Sequence, residues 1–178
     1  MNPLVTGAEQ LLFNDRPKSP YFGKQAAKVL MHPGEVNKIR ECPEHPNLIV
    51  THTDAPELYL WNLDRQPNVA KDDKDISVPD LVLQGHEGDA RFACNWSSGA
   101  SRPMVCSGGE DHLVCVWDLQ DSMSSLLQGS HTYDRAKGVA GATSLSCRSK
   151  LKGHKDTVED VCFQPRSNDV LASVGDDE

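Results

Sequence analysis

The sequence predicts an all-β fold built from a repeated antiparallel unit, and three observations predict it. A self-similar segment recurs as HPGEVNKIRECPEH from His32, HEGDARFACNWSSG from His86 and HKDTVEDVCFQPRS from His154. Each copy runs through a short apolar strand and a polar turn into a second strand that ends in Asp: LIVTHTD from Leu48, MVCSGGED from Met104 and VLASVGDD from Val170. The spacing from His to that Asp is held at 22, 25 and 23 residues. Runs such as LVCVW alternate with a period of two between Gly, Asp and Pro, which is the pattern of half-buried antiparallel strands and not of helix.

Each element of the unit can be justified in order. An apolar strand precedes each His: AKVLM before His32, PDLVLQ before Gly85-His86, and SKLK before Gly153-His154. The first and second strands follow as above. A third strand, ELYLWN to Asn62 and LVCVWD to Asp118, places Trp61 and Trp117 seven and six residues after the Asp. The third copy stops at Glu178, before a Trp. Four strands per unit, with a Gly-His pair and a Trp-Asp pair, are the signature of a WD40 propeller blade. The repeats are 54 and 68 residues long, beyond the usual 40 to 45, and the excess lies between blades. Asp64 to Val78 is polar and charged, and Gln120 to Cys147 is rich in Ser, Gly and Ala, so both read as surface connections or flexible insertions. The division is an amino-terminal segment 1–26, a blade 27–63, a linker 64–78, a blade 79–119, an insertion 120–146 and a truncated blade 147–178. Propellers close with about four to eight blades, so two full blades and most of a third are expected to be a fragment of a longer propeller.

Composition narrows the function. The net charge of −8 over 178 residues disfavours a phosphate backbone as partner and favours a basic protein surface. No apolar run approaches the roughly 20 residues that span a bilayer, and the first residues lack the layout of a secretory signal. The six cysteines contain no CxxC pair. Cys94, Cys106, Cys115 and Cys162 fall in apolar strand-like runs, where free Cys behaves as a small buried hydrophobe. No disulfide frame, metal or cofactor is expected.

His86, Ser107 and Asp111 resemble a hydrolase triad, but the set recurs as His32, Thr51, Asp54 and as His154, Ser173, Asp177. A catalytic triad is not needed once per repeat. A buried hydrogen-bond network that fixes the turn of each blade is the better reading, with Trp61 and Trp117 as further members. GVAGATS from Gly138 lacks the Lys of a phosphate loop. Asn95-Trp96-Ser97 is a glycosylation sequon inside a strand, and the acidic pairs Glu110-Asp111 and Asp176-Asp177 belong to turns. One constellation remains. Three and five residues after each His stand Glu35 and Asn37, Asp89 and Arg91, Thr157 and Glu159. A period of two puts each pair on one side of the first strand, which lines the central channel. Glu35, Asp89 and Glu159 are therefore expected to converge as a cation-binding rim; the plainer reading is a solvated turn.

HPGEVNKIR from His32, THTDAPELYLWN from Thr51, PDLVLQGH from Pro79, GHKDTVEDVCF from Gly153 and the closing SVGDDE resemble the histone-binding WD-repeat family. That family includes the retinoblastoma-binding proteins, the small subunit of chromatin assembly factor and the plant MSI-type proteins. The likeness runs from about Phe13 to Glu178. THTD, SGGED and DTVEDV look most similar to the plant flowering-time branch associated with histone deacetylases. The resemblance implies a seven-bladed, non-catalytic nuclear scaffold, with a cytoplasmic pool left open. It holds a core-histone tail for deacetylase, Polycomb or chromatin-assembly subunits, without direct contact to nucleic acid or membrane. The family's tail-binding positions match Glu35, Asn37 and Glu159. In the second blade the first strand is one residue longer, which shifts the contacts to Asp89 and Phe92 and leaves Arg91 unexplained. The family's long amino-terminal helix is not evident, so the second histone groove is expected to be missing. The alternative is a WD40 adaptor for another basic partner, as in a ubiquitin ligase. Trp117-Asp118-Leu119-Gln120 lacks the Arg that cullin adaptors recognise, and Trp61 is followed by Asn62.

Overall fold

A computed structural model describes residues 3–4, 30–66, 77–88, 92–99, 102–128 and 135–177. A short β1 (Pro3–Leu4) pairs antiparallel with β2 (Leu30–Met31). The first full blade joins β3 (Val36–Glu41), β4 (Leu48–Thr53), β5 (Leu58–Asn62) and β6 (Leu81–Gln84) as an antiparallel meander. The second joins β7 (Ala93–Trp96), β8 (Met104–Gly108), β9 (Leu113–Asp118) and β11 (Ser149–Lys152). The third holds the hairpin β12 (Val158–Phe163) and β13 (Leu171–Gly175). This is a partial all-β propeller.

The strand that precedes each Gly-His in sequence belongs to the sheet of the blade before it. β6 pairs with β5, and β11 pairs with β9. The sequence repeat and the structural sheet are thus offset by one strand. An outer strand delivered by the next repeat ties neighbouring blades together. β11 is exposed along its length and carries Lys150 and Lys152, charges that suit a sheet edge.

The core sits between the blades. Leu58, Leu60 and Leu83 of the first pack with Val105, Cys115 and Trp117 of the second. On the other face of the second blade, Met104, Cys106 and Val116 pack with Val158, Val161 and Phe163 of the third. Gly108 makes this second contact possible: a Cβ there would run into the Val158 side chain and stand 3.2 Å from the Ala93 Cβ. Cys94, Cys106 and Cys115 are buried, whereas Cys162 is exposed, because it lies on the face of β12 opposite Val161 and Phe163.

The Ser-, Gly- and Ala-rich segment 120–146 is not a featureless connection. It holds α1 (Met123–Gln128), a 3-10 segment (Arg135–Gly141) broken by a kink at Gly138, and β10 (Ser144–Ser146). α1 buries Leu126 in the interblade core, where the Leu126 carbonyl accepts a 2.8 Å bond from Asn62 Nδ2. β10 adds in parallel to β6 as a fifth strand of the first blade. Most of the 64–78 linker, and the segment in which the amino-terminal helix was not expected, lie outside the described residues.

Candidate functional site

The His, Ser/Thr and Asp of each repeat meet, but they do so in two different ways. In the second blade His86 Nδ1 lies 2.9 and 3.0 Å from the Asp111 carboxylate oxygens, and Nε2 lies 2.6 Å from Ser107 Oγ. Asp111 also accepts the backbone N–H groups of Glu87 and Leu113, which closes the turn. The third blade repeats this arrangement. His154 Nδ1 is 2.6 Å from Asp177 and Nε2 is 2.8 Å from Ser173 Oγ, while Asp177 accepts the Lys155 N–H. The hydrogen bond from His154 is the first cause holding the Asp177 carboxyl below the usual carboxylate range.

The first blade departs from this pattern. His32 Nε2 lies 2.8 Å from Thr51 Oγ1, but Nδ1 accepts the Gly34 N–H at 3.3 Å, and Asp54 reaches the ring only through its charge. Trp61 Nε1 donates to Thr51 Oγ1 at 2.9 Å, and Thr51 in turn donates to the Tyr59 carbonyl. Consistent donor and acceptor roles assign the His32 proton to Nε2. The same logic assigns Nδ1 in His86, with Ser107 as donor to Nε2. Burial lowers His32 to about 4 and lowers His86 also, so both rings are neutral near pH 7. Trp117 is not bonded to Ser107. Its Nε1 donates to the Gln84 carbonyl at 3.1 Å and so ties the second blade to the outer strand of the first.

Ser107 is 0% exposed, so the triad-like geometry around it has no access to a substrate. Among the described residues no group of three or more His, Cys, Asp or Glu could hold a metal ion.

The candidate rim residues are related by strand register and not by simple alternation. Glu35 is exposed and stands just before β3, while Asn37 occupies a β-bulge between Val36 and Lys38. Glu159 occupies the corresponding bulge between Val158 and Asp160 of β12. A bulge breaks the period of two and re-aims the residue that it carries. Register then defines equivalent positions. Ile39, Cys94 and Val161 pair with Thr51, Ser107 and Ser173, so the residues two places earlier are Asn37, Phe92 and Glu159. Cys94 is eight residues from its His and the other two are seven, so the second blade has one extra residue between His86 and Cys94. Phe92 is 40% exposed. Asp89 and Arg91 lie outside the described residues.

One step further along the strands, Lys38 Nζ lies 3.3 Å from Asp160 Oδ1, bridging the inner strands of the first and third blades. No motif of the repeat marks either residue. The available signal was a pair of opposite charges at one repeat position, six residues after His32 and His154.

The description "WD domain, G-beta repeat" matches residues 77–118 and 145–178. The WD-40 repeat-containing protein MSI4 of Arabidopsis thaliana is 38% identical over 186 residues, which cover 99% of this chain and 36% of that protein. The probable histone-binding protein rba-1 of Caenorhabditis elegans is 31% identical over 146 residues, covering 82% of this chain and 31% of that protein. The chain belongs to the WD-repeat family of the MSI type. This WD-repeat chain spans about a third of the length of these curated relatives. Its two matched segments begin at the outer strands β6 and β10–β11, so the family repeat carries the same one-strand offset as the sheets.

Proposed function

We propose that the chain is part of a non-catalytic scaffold that captures the basic tail of a core histone at the propeller rim, within chromatin-modifying or chromatin-assembly complexes of the nucleus. The observation that carries this reading is the equivalence of Asn37, Phe92 and Glu159 at the start of three successive inner strands, with Glu35 exposed beside the first. The name of the Caenorhabditis relative, histone-binding, supports the choice of partner.

In this reading the Glu35 and Glu159 carboxylates take Lys or Arg through charge-assisted hydrogen bonds, each stronger than a neutral one. Asn37 offers a donor and an acceptor to peptide backbone. The ring of the exposed Phe92 covers an aliphatic stem or meets a cation face-on. Asp89 completes the acidic set. No step requires a nucleophile, and Ser107, the best-placed hydroxyl, is sealed inside its blade.

The test is charge reversal in the intact native protein. Glu35→Lys with Glu159→Lys is expected to weaken binding of a histone-tail peptide by about tenfold or more, measured by calorimetry. Unchanged affinity would remove both residues from the site.

A further inference from the structure

We propose that Lys38 is a built-in competitor for the cationic ligand: its ammonium occupies Asp160, and a bound Lys or Arg side chain takes that carboxylate in its place. This inference rests on the rim reading above and names a regulator of the same site.

The geometry supports it in three ways. First, Lys38 and Asp160 hold the same repeat position, one residue beyond the bulge that carries Asn37 or Glu159. The ion pair is therefore one residue further along the inner strands than the proposed rim positions. Second, register places Ala93 at the same level of the intervening blade, since Ala93, Lys38 and Asp160 each precede the residue paired with the network Ser or Thr. The short Ala93 side chain is fully buried and packs with Val158 in the core between the second and third blades, so the inner strand of that blade carries no charged group at this level. Third, the Lys38 side chain is 21% exposed and that of Asp160 is 57% exposed. A carboxylate this open to solvent is reachable, and an exposed pair of this kind is weak and easily exchanged.

Two neighbours set the alternatives that Lys38 would have when displaced. Arg40, on the same strand, is already turned onto the Ile39 carbonyl, so it does not substitute for Lys38 at Asp160. Glu159, adjacent to Asp160, gives the released ammonium or the incoming ligand a second carboxylate within one residue. The exchange is a swap of one cation for another at a fixed anion. It favours a ligand that delivers its cation together with contacts to Glu35 or Phe92, and disfavours a lone ammonium ion.

The experiment is a double-mutant cycle in the intact native protein, with an unmodified amino-terminal peptide of a core histone as probe. A control peptide has every Lys and Arg replaced by Gln. Lys38→Met is expected to tighten binding by roughly two- to fivefold, the worth of an exposed ion pair. Asp160→Asn is expected to weaken it, and to cancel most of the gain from Lys38→Met when the two are combined. Lys38→Gln, which keeps a polar head, serves as a second variant should Lys38→Met lose its cooperative thermal transition. If the wild type binds the peptide and Lys38→Met binds no more tightly, Lys38 is no competitor. If the gain persists undiminished in the Asp160→Asn background, Lys38 acts only as a general positive charge, and the exchange is again overturned. Failure of the wild type to distinguish the histone peptide from its Gln control sinks the rim reading itself, and the competitor with it.

Discussion

Asp54 and Asp111 hold the same repeat position and do unequal amounts of structural work. Asp111 accepts from the His86 ring and from two backbone N–H groups, whereas Asp54 meets His32 through charge alone. Truncating Asp111 leaves a buried imidazole N–H and two turn amides without their partner. Asp111→Ala should therefore cost about 2–4 kcal/mol, and Asp54→Ala less than about 1 kcal/mol. Urea unfolding midpoints compare the two; equal losses would mean that position in the repeat, and not bonding, sets the cost. The buried histidines make a second prediction. Desolvation is the first cause that lowers His32 to about 4 and His52 to about 3. His52 Nδ1 donates to the Ala93 carbonyl, and its Nε2 has no partner to hold a second proton. Both rings stay neutral in the folded state, while in the unfolded chain they take up a proton near pH 6.5. The stability tied to them is complete above about pH 6.5 and is lost as pH falls toward 4 and then 3. They contribute on the order of 3 to 5 kcal/mol each over their windows. Unfolding followed from pH 7 to pH 4 should show this decline, and His52→Leu should make it shallower.

At the scale of elements, contact between the second and third blades depends on a missing side chain. Gly108 faces Val158, which is fully buried, and Val158 N–H donates to the Gly109 carbonyl. Gly108→Ala should destabilise by about 1–3 kcal/mol through overpacking. Val158→Ala in the same chain should recover part of that loss, as read by thermal unfolding. Gly88→Ala, whose new methyl would stand 4.0 Å from the Asp111 Cβ, should change little. The strands of each blade other than β10 were legible in the sequence because each is short, apolar and closed by Gly, Asp or Trp-Asp. Their assignment to sheets was not, since period and composition look alike whether β6 and β11 close their own repeat or the one before. For the proposed rim positions, sequence spacing does not give the geometry. Period-two reasoning grouped Asn37 with Glu35, whereas a bulge sets Asn37 level with Phe92 and Glu159. A bulge leaves no mark on hydrophobic alternation when the residue it adds is polar, as Asn37 and Glu159 are. The elements within 120–146 were not legible for another reason. α1 is only six residues long and is anchored by one buried Leu126, too few apolar positions for a helical period to register.

For the molecule as a whole, charge and position act together. The net charge of −8 over these 178 residues draws a basic segment from a distance, but long-range attraction does not say where that segment stops. The rim would supply the stopping point, because Glu35 and Glu159 carry their charge at the inner strands, while Lys38 cancels Asp160 one residue beyond Glu159. These two contributions separate by rate. Raising ionic strength from about 0.05 M to 0.5 M shrinks the Debye length from about 14 Å to about 4 Å. Association of a histone-tail peptide with the intact native protein should then slow by about tenfold or more. Dissociation should change less than about threefold, since contacts made at hydrogen-bond distance are screened least. Stopped-flow measurement at the two salt concentrations resolves both. A salt effect confined to association, together with faster dissociation of the Glu35→Lys and Glu159→Lys variant, fits capture at a defined rim. Dissociation that rises in step with salt, and that ignores the double substitution, would instead describe a diffuse acidic surface with no site at Glu35 and Glu159.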